Sequence, residues 1–188
     1  MSADLGTRYA AGGFCHIGAD LDQGQLASLD AILCQEPGGQ VILAGSGADA
    51  VLSVAVLAWL LVNGDDVLWL TRRPEAARAA FERVAHLARG PVIASSVSLT
   101  RRSNGDQQIG LRTGARVLFR TWDRARGYSA RRLIVGNADL IGWQQAGSVM
   151  HVLLGRNAGK GQVVYTAQEL RGEVLESLRD NGPALLEA

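Results

Sequence analysis

Four short apolar runs punctuate the chain: Gln40 to Ala44 (QVILA), Asp66 to Thr71 (DVLWLT), Ala115 to Thr121 (ARVLFRT) and Arg131 to Val135 (RRLIV). Each is too short for a helix and apolar enough to be a strand buried on both faces. A fifth, Gly161 to Thr166 (GQVVYT), closes the series. Between them lie helical patterns. Asp22 to Cys34 repeats apolar residues at Leu26, Leu29, Ile32 and Leu33, and Pro37-Gly38-Gly39 stops it. Ala48 to Asn63 is apolar almost throughout and ends at Asn63-Gly64. Glu75 to Ala88 is built of strong helix formers behind Pro74, which suits a first helical turn.

Val92 to Leu99 and Gln108 to Arg112 are expected to be strands flanking a polar hairpin at Ser103 to Asp106. A helix is expected over Ala138 to Leu154, and a helix and tail after residue 168. Strands alternating with helices predict an α/β fold, a mainly parallel sheet with helices on both faces. The expected organisation is a loose arm over 1–20, one domain over 21–170, and a C-terminal helix and tail over 171–188.

Composition alters this picture little. The 188 residues are 47% hydrophobic and 20% charged, ordinary for one globular domain. The longest apolar run, Ala50 to Val62, is too short to span a bilayer, and the first residues show no signal-peptide core, so a cytoplasmic protein with no membrane partner is expected. Cys15 and Cys34 fit neither a metal spacing nor a disulfide framework; free thiols are expected, with Cys34 packed at a helix end. His16, His86 and His151 are scattered, His86 on a surface or boundary position, and no metal site is expected.

The net charge of +1 gives no global attraction to nucleic acid, but its distribution is uneven. Lys160 is the only lysine, and between Arg101 and Arg132 the only acids are Asp106 and Asp123. Such a bias also arises from a GC-rich genome. If Arg112, Arg116 and Arg120 lay along one strand they would share a face, unless Thr113-Gly114 breaks it. Trp59 and Trp69 sit in apolar segments and read as core. Trp122, in Thr121-Trp122-Asp123-Arg124, reads as an exposed loop residue that could stack on a base or anchor a protein, or as one folded back on its own domain.

Several segments in order resemble the ATPase domain of phage terminase large subunits, the DNA-packaging motors. The helix carrying Gln25 resembles the family's opening glutamine segment, which approaches the adenine. In Ala115 to Asp139, the residues Arg116, Phe119, Arg120, Thr121, Arg126, Gly127, Ser129, Ala130 and Leu133-Ile134-Val135 match the family's run of motifs. GQVVYTA is similar to the strand-plus-threonine coupling motif, with Thr166 in the coupling position. The resemblance spans about residues 20 to 170 and implies a P-loop (RecA-like) fold. It leaves no room for the family's nuclease domain, and it implies a phage or prophage origin, hence a host cytoplasm.

The departures are specific. Phosphate chemistry needs a glycine loop, a lysine and a Ser/Thr for magnesium, then acids at a later strand end. Here the loop reads Gly45-Ser46-Gly47-Ala48-Asp49: the lysine position falls on Ala48 and the magnesium hydroxyl on Asp49. The acidic pair falls on Gly136-Asn137. In a shifted register, Asp139, or Asp65 and Asp66, would be the metal ligands. The resemblance with these losses implies a catalytically inactive scaffold without cofactor, binding a protein partner or itself. The alternatives are a DNA-binding module using the Arg112 to Arg132 stretch, with Arg116, Arg120, Trp122, Arg124 and Arg126 as contacts, and a noncanonical ATPase using ATP and magnesium. In an active ring, Arg126 resembles an arginine that reaches a neighbour's nucleotide.

Overall fold

Alternation within each strand splits the interior into two layers, one on each side of a single sheet. The computed structural model describes residues 21–35, 38–103, 105–144, 146, 161–180 and 184–187. Its strands are β1 (Gln40–Ala44), β2 (Val67–Thr71), β3 (Val97–Arg101), β4 (Gln107–Leu111), β5 (Arg116–Thr121), β6 (Arg132–Val135), β7 (Gln162–Ala167) and β8 (Ala184–Glu187). They form one eight-stranded sheet in the order β3-β4-β5-β2-β6-β7-β1-β8. All neighbours from β5 to β8 are parallel, and β3 and β4 add an antiparallel edge. The sheet is thus mainly parallel, as its apolar strands require.

One layer is built from Val41, Leu43, Trp69, Phe119, Ile134 and Val164 against three helices: α1 (Gln23–Leu33), α2 (Ala48–Ala58) and α3 (Pro74–Leu87). The alternate strand positions, including Ile42, Leu68, Leu70, Leu133, Val135 and Val163, meet Trp122, Ala138 and Ile141 on the other side. Val174 and Leu175 of a C-terminal helix join that second layer. α2 is buried nearly all round, which explains its lack of a polar face. It continues as a π-helical turn, Trp59–Asn63, and stops at Gly64, whose left-handed φ of 66° suits a glycine cap.

Four local expectations are corrected. Val92 to Leu99 is not one strand: Gly90 and Pro91 start a short helical turn, α4 (Pro91–Ala94), and the strand begins at Val97. Proline preset for a first helical turn overrides the β-branched residues there. The helix expected from Ala138 is a single 3₁₀ turn, Ala138–Leu140; Ile141 is extended and buried, and helix resumes at Trp143. Residues 147–160, with His151 and Lys160, lie outside the described residues, as do 1–20 with Cys15 and His16. The tail carries more than a helix: after α5 (Glu173–Asp180), β8 pairs in parallel with β1, and Ser28 Oγ donates to Glu187 O at 2.7 Å. Cys34 is exposed rather than packed, because Ile32 and Leu33 already fill that helix end.

Candidate functional site

A crevice in an open parallel sheet forms where neighbouring strands send their connections to opposite faces, at the carboxyl ends of the strands. β1 and β7 are such a pair. β1 leads into α2 on one face, and β7 leads into α5 on the other. Their ends, with that of β6, bring together Gly45, Gly47, Ala48, Asp49, Gly136, Asn137 and Thr166. Gly45 N–H donates to Ala167 O at 3.2 Å, and Asn137 N–H to Thr166 Oγ1 at 3.3 Å. Seven positions chosen from separate motifs therefore share one place.

The chemistry there is poor in charge. Only Gly45, Ser46 and Gly47 separate β1 from α2, whereas the phosphate-cradling G-x-x-x-x-G-K loop sets four residues between its glycines. Gly45 sits at φ 113°, and the Ala48 N–H turns back towards Gly45 O at 3.4 Å. The Asp49 carboxylate does not face the loop but pairs with Arg83 of α3 at 2.7 Å, and its main-chain oxygen accepts from Ser53 Oγ at 2.7 Å. No cation replaces the missing lysine in this loop. The turn therefore supplies no basic side chain to hold the phosphates of a nucleoside triphosphate.

The acidic pair is replaced by backbone fitted into little space. A Cβ on Gly136 would lie 3.2 Å from both Leu70 O and Thr71 Cγ2, so the neighbours have closed over the place of an aspartate side chain. Asn137 occupies the left-handed region at φ 58°, which asparagine tolerates better than most residues. Restoring the acid by Gly136→Asp is expected to lower stability by about 1–2 kcal/mol through overpacking, read from the urea midpoint. Tyr165 beside the crevice is pushed up to about 12 by burial, so it is no base near neutral pH.

Other candidates lie elsewhere. Gln25 closes a capping box on α1: its Oε1 accepts from Asp22 N–H at 3.1 Å, while Asp22 Oδ1 accepts from Gln25 N–H at 2.9 Å. Asp65 and Asp66 precede β2, at the opposite end of the sheet, and are spent on Arg131, Arg132 and the Arg116 N–H. Asp139 follows β6 in the 3₁₀ turn; its Oδ1 is buried without a hydrogen-bond partner among the described residues, and its backbone packs against Gly172. Among the described residues no three His, Cys, Asp or Glu gather to hold a metal, and no helix is long and apolar enough to cross a membrane. His86 is exposed on α3.

The arginine stretch does not form a stripe. Arg112 and Arg116 stand on either side of the Thr113-Gly114 turn, with Arg112 Nε donating to Ser95 O at 2.9 Å. Arg120 is buried: it pairs with Asp106, donates to the carbonyls of Gln107 and Phe119, and lies over the Tyr128 ring at 5.3 Å. That removes it from any nucleic-acid contact. Trp122 is also interior, 4% exposed in the 3₁₀ turn Trp122–Arg124, against the exposed-loop reading; the second apolar layer takes its ring. Arg116, Arg124 and Arg126 stay exposed, Arg116 at the start of β5 and the other two beyond its end. The exposed tryptophan is Trp143, at 59%, near half-exposed Leu140. The sequence pattern hid it inside an expected helix.

A glycine-turned crevice on a mainly parallel sheet, with β7 between β1 and β6, defines a P-loop-type ATPase fold. Solved structures make the likeness more particular: the chain has the fold of the ATPase domain of phage large terminases. It is similar to the large terminase of bacteriophage HK97 at 13% identity and a TM-score of 0.69, covering 88% of this chain and 38% of that one. It is similar to the Thermus phage P74-26 large terminase ATPase domain at 19% identity and a TM-score of 0.63, covering 87% and 71%. The C-terminal domain of a possible DNA helicase from Lactobacillus matches at 18% identity and a TM-score of 0.50, covering 87% and 95%. The chain thus spans well under half the length of the HK97 terminase. No protein-family model and no curated protein sequence matches it.

Proposed function

We propose that this chain is a terminase-ATPase-like module that does not hydrolyse ATP and serves phage DNA packaging as a protein-binding scaffold. The observation that carries the reading is the crevice itself: a three-residue turn with Ala48 after it, and Gly136-Asn137 in place of acids. Phosphoryl transfer depends on positioning and electrostatic stabilisation, and single donors are commonly worth about 10²–10³ in rate. With the lysine and both acids absent from these positions, that stabilisation should be lost almost completely. The scaffold role is supported by Trp143, a large aromatic side chain left on the surface, since exposed tryptophans anchor protein interfaces. The occupant of that surface is a protein partner or a second copy of the chain.

Phosphate release from ATP with magnesium is expected to match the protein-free blank. Sustained turnover, abolished by Asp139→Ala, would replace this reading by that of a noncanonical ATPase.

A further inference from the structure

A second depression, of about 560 Å³, opens at the carboxyl ends of β2 and β5, and none of the crevice residues lines it. Its volume is in the range of small-molecule sites. Arg72 enters it just after β2, and Arg124 from the end of the 3₁₀ turn that follows β5. The Arg124 guanidinium rests against Gly105, at φ 74°, so closely that a Cβ there would collide with Nη1. Glycine at the β3–β4 hairpin thereby seats this arginine at the cleft. Arg72 and Arg124 are both exposed, and neither side chain has a hydrogen bond or ion pair among the described residues.

The rest of the lining adds to that charge. Arg120 is neutralised by Asp106, which leaves Asp123 as the one carboxylate among the residues lining the cleft. α3 begins in the wall at Pro74 and runs for 14 residues, with Arg73 at its N-cap supplying no side-chain cap. A helix start left in this state favours anions, although Glu75 in the first turn offsets part of the effect. Trp122 lines the same cleft, and its buried indole N–H has no acceptor among the described residues. Half-exposed Leu140 supplies an apolar wall.

We infer that this cleft binds a small phosphorylated ligand of nucleotide size. Its phosphates lie between Arg72, Arg124 and the start of α3, and its apolar part lies against Leu140 and the edge of Trp122. The site is separate from the β1 crevice and does not depend on whether that crevice is inactive.

The test is calorimetric titration of the whole protein at low salt with ATP, with inorganic pyrophosphate and with a short single-stranded oligonucleotide. Saturable ATP and pyrophosphate binding is expected. Arg72→Ala/Arg124→Ala should weaken it at least tenfold, while Ser46→Glu, which places a carboxylate in the β1 turn, leaves it unchanged. Both arginines are exposed, so the variant is expected to fold, which circular dichroism checks. Absence of binding by the wild type, or equal binding by the arginine variant, would overturn the assignment. So would loss on Ser46→Glu, which puts the ligand back at β1, and so would oligonucleotide binding without ATP or pyrophosphate binding. Phosphate release, measured separately, decides the hydrolysis question independently.

Discussion

Replacing Asp65 by alanine is expected to lower the unfolding free energy by about 3–5 kcal/mol. Its carboxylate is 3% exposed and accepts from Arg132 Nε at 2.9 Å and Arg131 Nη1 at 3.1 Å. Arg131 can turn to water, but Arg132 cannot: its side chain is 13% exposed and its guanidinium lies 5.3 Å over the Trp59 ring. Arg132 also donates to Gln162 Oε1, and Gln162 Nε2 donates to Ile32 O at 2.8 Å and Gln35 Oε1 at 2.9 Å. The carboxylate therefore anchors a network that joins β6 and β7 to the end of α1. Removing it leaves a buried cation without a counter-charge, which costs far more than an intact pair contributes. Urea unfolding of Asp65→Ala and of the double variant Asp65→Leu/Arg132→Met separates the causes. The double variant is expected to recover most of the loss, and equal losses would show that packing, rather than an orphaned charge, is responsible.

Asp106→Ala is expected to cost about 2–3 kcal/mol, by the same logic applied to Arg120 at the other end of the sheet. The Arg120 side chain is 2% exposed, while that of Asp106 is 41% exposed, so water replaces part of what the carboxylate supplies and the cost falls below that at Asp65. The carbonyls of Gln107 and Phe119 stay on Arg120 and limit the loss further. The hydrogen bond from Arg101 holds Asp106 below its ordinary 3.8, with partial burial opposing and the charges of Arg120 and Arg101 adding to the lowering. A carboxylate with a lowered pKa in the fold stabilises fully above its unfolded value, and that contribution fades as pH falls through the folded value. The gap between wild type and Asp106→Ala should therefore be constant from neutral pH to about pH 5 and shrink below 3.8. A gap that persists unchanged at pH 2 would rule out the ion pair as its source.

These two arginines also show how the fold withdraws members of the Arg112 to Arg132 stretch from the surface. One-dimensional charge counts treat each arginine as solvated. In the fold, Arg120 and Arg132 are interior and Arg112 holds the Ser95 carbonyl. Trp122 went inward with them, because the 3₁₀ turn after β5 folds back onto the second apolar layer. Arg116, Arg124, Arg126 and Arg131 stay exposed, while exposed Arg72 and Trp143 stand on other segments that no window over the arginine stretch includes.

Short apolar runs separated by helical periods were enough to determine the parallel sheet, its two-sided burial and the placing of β1, β2, β5, β6 and β7. Strand period and helix period are properties of neighbouring residues, so the chain carries them locally. The expectation at Ala48, Gly136 and Asn137 rests on motif order, which is likewise a local property of the chain. Tertiary structure alone decided the rest. β8 is a strand because β1 offers it an edge, and ALLE by itself has no preference strong enough to say so. The three-residue turn at Gly45–Gly47 and the closure of Leu70 and Thr71 over Gly136 needed the strand ends in three dimensions. The fate of the two buried arginines depended on partners 67 and 14 residues away, Asp65 for Arg132 and Asp106 for Arg120. Burial and charge pairing are long-range along the chain and short-range in space, and only the folded sheet brings the two together.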